Sequence, residues 1–182
     1  MVTDRTGRWT ATPVPGTRGR PVASSTVIAG IGGAPSRVCR STPSASDAFH
    51  LAEPYERMRC DPAMMAELGG PLPSQGIPGK VARDVGDAES DRAWIVIVEA
   101  DGTPVGHVCI WDHDEDGEHI NEIGWMVLPE FQGQGLGRDA ALAILDKARR
   151  ERRWGVVHTF PGATNAPSNA ICRALGFTGG ST

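Results

Sequence analysis

Tyrosine is almost missing from this chain: Tyr55 is the only one in 182 residues, and aromatic residues together make up 5%. The core must therefore be built mainly from aliphatic side chains, and the 40% apolar content is ordinary for that purpose. Cysteine is sparse as well. Cys39, Cys60, Cys109 and Cys172 lie far apart, with no C-x-x-C pair and no Cys/His spacing of a zinc site. No metal is expected, and reduced thiols in the cytoplasm are the default. No apolar run approaches the length of a membrane span. Thr26 to Ala34 is the one apolar run near the start. It is short, glycine-rich and remote from a basic N-terminus, which argues against a signal peptide and a membrane partner. Positive charge is also in short supply: the net charge of −4 gives no global attraction to nucleic acid.

The charge is unevenly spread. Residues 1–45 hold six Arg and one acid, whereas residues 46–182 hold 12 Lys and Arg against 21 Asp and Glu. Residues 1–35 carry Pro13, Pro15, Pro21 and Pro35 among many Gly, Ser and Thr, and read as a basic, disordered arm. Residues 36–182 suit one domain of ordinary size.

Within that domain, Arg37 to Thr42 alternates like a strand. Ala48 to Arg59 reads as a helix interrupted by Pro54, and Asp61-Pro62 as a cap opening another short helix to Leu68. Gly69 to Gly79 is a loop, and Lys80 to Ser90 a weak helix. Ala93 to Glu99 and Pro104 to Trp111 are strands joined by an Asp101-Gly102 hairpin turn. Asp112 to Glu118 reads as an acidic turn before a third strand from His119 to Leu128; His113 and His119 among five acids suggest either a hard-cation site, though the ligand spacing fits no motif, or a solvated hairpin tip.

The best-patterned stretch is Asn121 to Asp139, NEIGWMVLPEFQGQGLGRD. A strand ends at Pro129, which has no N–H for a ladder. Gln132-Gly133-Gln134-Gly135-Leu136-Gly137 then turns into a helix whose apolar stripe is Leu136, Ala140, Ala141, Ile144, Leu145 and Ala148. Strand, glycine-rich turn and helix N-terminus together make a phosphate cradle: the first helical N–H groups lack partners, and the dipole favours an anion. The alternative is a plain structural turn. A Walker A loop is excluded because no Lys-Ser/Thr occurs at the required place. The dinucleotide fingerprint fails because position 138 is Arg. Gln132, Gly135 and Gly137 do satisfy Gln/Arg-x-x-Gly-x-Gly/Ala. A strand follows at Gly155 to Phe160, expected to lie parallel to the Glu122 strand. Asn165 then precedes a short helix from Pro167 to Leu175, ending in Leu175-Gly176-Phe177.

These two motifs, in this order with a strand between them, resemble the GNAT superfamily of acyl-CoA-dependent N-acyltransferases. Within it they look most like the branch of ribosomal-protein N-terminal acetyltransferases. The resemblance covers Trp94 to Phe177 well and Ala48 to Leu68 weakly. It implies an α/β (α+β) fold, with a mixed, mostly antiparallel sheet flanked by helices. Relative to the family, the C-terminal strands are missing after Phe177, which is expected to leave one sheet edge bare.

The resemblance also implies a site. Acetyl-CoA would be the cosubstrate, without a metal. Its pantetheine arm would pair along Trp125, Met126 and Val127. Its pyrophosphate would rest on the N–H groups of Gln132, Gly133, Gln134, Gly135, Leu136, Gly137 and Arg138. Arg138 is either a phosphate ligand or solvated. Asn165 and Ser168 either contact the pantetheine or cap the helix after them. The acceptor would be an amine of a small molecule or a protein N-terminus. Glu122 is the candidate base, and its alternative is a structural strand carboxylate. The family's tyrosine acid aligns with Cys172, whose alternative is core packing. An acyl-CoA-binding protein without catalysis is the competing class.

Overall fold

The computed structural model describes residues 8–11, 37–41 and 48–179. Its centre is a seven-stranded sheet in the order β2-β3-β4-β5-β6-β1-β7. The strands are β1 (Trp9–Ala11), β2 (Arg37–Ser41), β3 (Ala93–Ala100), β4 (Thr103–Glu115), β5 (Glu118–Val127), β6 (Val157–Thr159) and β7 (Thr178–Gly179). The helices are α1 (Ala48–Arg59), α2 (Ile77–Glu89), α3 (Leu136–Glu151) and α4 (Ala166–Ala174). All pairings are antiparallel except that of β5 with β6.

The β3–β4–β5 meander is held by two tight turns. Asp101 and Gly102 have φ of 50° and 76°, and Asp116 and Gly117 have 52° and 82°. Positive φ at both central residues is what a two-residue hairpin turn needs to match the twist of its strands. The second turn corrects the sequence reading. Residues 112–115 are not a loop: β4 runs to Glu115, which pairs with Glu118. The acids Asp112, Asp114 and Glu115 stand on an extended strand, and only Asp116-Gly117 turns.

Two cores lie on the two faces of the sheet. On one, Trp94, Val96, Val98, Val108, Ile110 and Ile123 pack against the expected stripe of α3 and against Cys172 of α4. Each fully buried aliphatic side chain there, such as Ile144, contributes about 1.5–3 kcal/mol. On the other face, Ile95, Ile97 and Met126 pack against Leu51, Tyr55 and Met58 of α1 and Ile77, Val81 and Val85 of α2. Because strand side chains alternate, β5 sends Ile123 and Trp125 to the α3/α4 face, and Glu122, Gly124 and Met126 to the α1/α2 face.

The expected helix from Pro62 to Leu68 forms only turns. Asp61 does cap it, its Oδ1 accepting from the N–H of Ala63 (2.8 Å) and Met64 (2.9 Å), but the two glycines 69 and 70, both at positive φ, stop propagation. α2 starts earlier than expected, at Ile77, with Pro78 in the first turn where its missing N–H costs nothing.

The largest departure is at the start of the chain. Trp9–Ala11, inside the stretch expected to be disordered, pairs antiparallel with Val157–Thr159 and covers the far edge of β6. Thr178–Gly179 then adds to β1. The edge expected to be bare is thus capped by a strand from the opposite end of the sequence. Trp9 anchors it: its indole N–H donates to Asn169 Oδ1 at 3.1 Å, and the ring packs on the α3/α4 core. The Val22–Ile31 run and the rest of the arm lie outside the described residues.

Candidate active site

β5 and β6 pair at only two positions, Asn121 with Val157 and Glu122 with His158. Beyond them β5 continues to Val127, while β6 ends at Thr159 and the chain turns into α4. The sheet therefore forks just past Glu122. β5 backbone from Ile123 onward has its ladder to β4 on one side and no strand on the other. An extended chain with amide groups can pair in such a gap as a strand would.

The fork is bridged by side chains. Trp125 Nε1–H donates to Ser168 Oγ at 3.2 Å, tying β5 to α4. Asn165 is the N-cap of α4: its Oδ1 accepts from Ser168 N–H at 3.1 Å. Of the two roles weighed for Asn165, capping is the one its carbonyl oxygen performs. Met126 lies on the other face, 7% exposed.

At the end of β5 the turn is closed by its own first residue. Gln132 Nε2–H donates to Val127 C=O (2.8 Å), and Gln132 N–H donates to Pro129 C=O (3.2 Å). Gln132 thus shapes the turn, and its N–H already has an acceptor within the protein. Gly133 and Gly135 have φ of 73° and 81°. Gly135 is the N-cap of α3, and its C=O accepts the first helical bond, from Asp139 N–H (2.9 Å). The N–H groups of Leu136, Gly137 and Arg138 precede that bond and have no helical acceptor. At Gly137 a Cβ would meet Val127 and Ile171 at 3.5 and 3.6 Å, so packing does not demand glycine there. A cradle of donors at a dipole's positive end is the chemistry that suits a pyrophosphate. Arg138 points elsewhere: its guanidinium is paired with Asp139 Oδ1 (2.8 and 3.0 Å), and both side chains are about half exposed.

Glu122 sits at the fork itself, 14% exposed, with Oε2 2.8 Å from His113 Nε2. Trp111, opposite Glu122 in the ladder, lays its ring over Gly124, where a Cβ would come within 3.2 Å of it. Cys172 is not with them. Its side chain is fully buried in the α3/α4 core, on the other face, and burial pushes its thiol up to about 11. The structure therefore brings together Trp125 with Ser168, and Gln132 with Val127, but separates Glu122 from Cys172.

Sequence reading missed two things on the α1/α2 face. One is the His113–Glu122 pair. The other is a buried polar group between α1, α2 and β4. Tyr55 stacks on His107 (centroids 4.8 Å apart, 16° between planes), and Lys80 Nζ holds Asp84 Oδ2 at 2.6 Å. Burial, then the charges of Arg59 and Lys80, hold His107 well below its ordinary range, so it is neutral. Burial, then Asp84, raises Tyr55, and burial pushes Cys109 up to about 12. The signal was the alternation of His107, Cys109, Trp111, His113 and Glu115 along β4, which places all five on one face.

A family model described as an acetyltransferase (GNAT) domain matches residues 38–178. The chain belongs to the GNAT acetyltransferase family. The uncharacterized N-acetyltransferase YnaD of Bacillus subtilis (strain 168) is 30% identical over 81 residues. That match spans 44% of this chain and 46% of YnaD, so it covers about half of each. Among solved structures, a GNAT-family acetyltransferase from Bacillus anthracis superposes with a TM-score of 0.63 at 22% identity, covering 82% of this chain and 81% of that one. Ribosomal-protein-S5-alanine acetyltransferase from Vibrio fischeri superposes at 0.57 with 19% identity, covering 77% and 79%. These likenesses are of fold, and the mixed, mostly antiparallel sheet with flanking helices is that of GNAT proteins. Among the described residues no helix is long and apolar enough to cross a membrane, and no cluster of three His, Cys, Asp or Glu is arranged to hold a metal ion.

Proposed function

We propose that this GNAT protein transfers an acetyl group from acetyl-CoA directly to a primary amine, on a small molecule or a protein N-terminus, in the cytoplasm and without a metal. The observation that carries this reading is the fork: β5 and β6 part just past Glu122, and the same strand leads into a donor-lined turn that fits a pyrophosphate. One continuous strand thus offers a phosphate site at its end and a carboxylate at the fork.

Acetyl-CoA supplies a thioester carbon open to attack by an amine. The chain's residues would do the rest. The N–H groups of Leu136, Gly137 and Arg138 hold the phosphates, and β5 backbone beyond Glu122 orients the pantetheine amides. An acceptor of pKa about 8 to 10 arrives mostly as the ammonium. Glu122 takes one proton from it, directly or through water, leaving a nucleophilic amine. The nitrogen sheds a second proton as the amide forms, and the departing thiolate takes it up. The buried thiol of Cys172 is on the wrong face for that task, so transfer rests on positioning and on Glu122.

One observation favours the competing reading of an acyl-CoA-binding protein: no tyrosine stands on α4, and the single Tyr55 is buried against His107. Release of free CoA from acetyl-CoA, measured with a panel of small amines and peptide N-termini, separates the two. Amine-dependent release is expected. Tight CoA binding with no release above background across the panel would leave the binding protein.

A further inference from the structure

β4 and β5 place a carboxylate, an imidazole and a second carboxylate in a row on the α1/α2 face. Glu122 Oε2 lies 2.8 Å from His113 Nε2, and Glu115 Oε2 lies 3.8 Å from His113 Nδ1. The three side chains are 14%, 26% and 29% exposed, so the row leads from the fork outward along the hairpin. The Trp111 ring flanks His113, with centroids 6.1 Å apart and planes inclined by 24°. The same Trp111 ring is wedged over Gly124. The imidazole is thus held between a fixed indole and two carboxylates.

From this geometry we propose that His113 is the positioning residue of Glu122: it grips the carboxylate by Oε2 and fixes its direction at the fork. This rests on the reading of Glu122 as the base. A glutamate has three side-chain torsions, and a general base must meet the departing proton within hydrogen-bond reach. A charge-assisted bond at 2.8 Å from a neighbour that is itself packed removes much of that freedom. His113 neither gains nor loses a proton in the transfer. The proton moves from the ammonium nitrogen to Glu122 alone.

The hairpin's other histidine has a different environment. His119 lies on the opposite face between Asp112 and Asp114, at 3.1 Å from each, and its bond to Asp114 is the main influence raising it. On the same face as His113 lie Glu115 of its own strand, Glu122 and Glu118 of β5, the latter opposite Glu115 and paired with Arg8, and His158 of β6 in register with Glu122. From the covering helices, Arg59 of α1 and Lys80 and Asp84 of α2 act on Cys109, further along the same file.

The test is a double-mutant cycle with acetyl-CoA and an accepted amine. His113→Leu should lower kcat at neutral pH by roughly 10- to 100-fold, the cost of a misplaced catalytic group, with KM for acetyl-CoA unchanged. His113→Gln, whose amide N–H reaches a similar place, should recover most of the rate. In a Glu122→Gln background, His113→Leu should have no further effect on rate. Equal losses from His113→Leu in both backgrounds would overturn the proposal while leaving Glu122 as base. Should His113→Leu fail to fold, His113→Gln against the shorter His113→Asn gives the same comparison, and equal rates overturn the proposal. If Glu122→Gln is as active as wild type, or if wild type transfers nothing, the parent reading fails, and this inference with it.

Discussion

Trp125 and Ser168 meet across the fork: the indole N–H of β5 donates to the hydroxyl of α4 at 3.2 Å. Ser168 is in turn fixed by its own N–H, which donates to Asn165. Sequence reading offered all three residues as cofactor contacts. Their mutual bonds tie β5 to α4 across the gap. Removing the hydroxyl in Ser168→Ala leaves a half-buried indole donor without its acceptor, at a cost of about 1 kcal/mol. The melting temperature should fall by roughly 2–4 °C. CoA affinity, measured by calorimetry, should weaken as the gap loosens. Unchanged affinity would separate this pair from the cofactor site.

The turn after β5 makes a sharper prediction. Gly135 has φ of 81° as the cap of α3. Aspartate tolerates that conformation better than most residues, so Gly135→Asp should fold. It also puts a negative charge at the proposed phosphate site, and CoA binding should be lost. Circular dichroism and calorimetry on the same sample check both halves. Retained CoA affinity would mean the turn is only structural.

β1 is a short strand on which the sheet's edge depends. Trp9→Ala removes the indole that packs on the core and bonds Asn169. A loss of about 2–4 kcal/mol is expected. Light scattering should then show association, because β6 would present an unpaired edge. A variant that stays monomeric with an unchanged melt would show that β6 does not need this cover.

The buried His107 gives stability a pH dependence. Its folded pKa lies well below the ordinary 6.5, chiefly through burial. As pH falls below about 6.5, the unfolded chain takes up a proton that the folded one refuses, so stability drops with falling pH. Above that value the stability is fully present. His107→Phe keeps the stack on Tyr55 and removes the titration. Its urea midpoint should change less between pH 7.5 and pH 5.5 than that of the wild type.

What could be read from the sequence depended on how local the signal was. The stripe of α3, the Asp101-Gly102 turn and the glycine turn after Pro129 each declare themselves within a few residues, and all stand where expected. Trp9–Ala11 could not be seen that way. Three residues carry no periodicity, and the partner strand is about 148 residues away, as in the bond of Thr10 to His158. The His113–Glu122 pair depended on register. Reading residues 112–118 as a loop hid it. A two-residue turn at Asp116-Gly117 fixes which strand residues face each other, and only then do these two side chains share a face.

Glu122 stands at the fork, and its proposed role as a base is open to one direct measurement. The ratio of wild-type to Glu122→Gln kcat/KM should be taken from pH 6 to pH 9.5 with one accepted amine. The amide keeps the size of the carboxylate but cannot accept a proton. At low pH, where most of the amine is protonated, the ratio should be about 100 or more. It should shrink towards high pH as the free amine supplies itself. A ratio that stays flat across the range would contradict the account and leave Glu122 as a structural partner of His113.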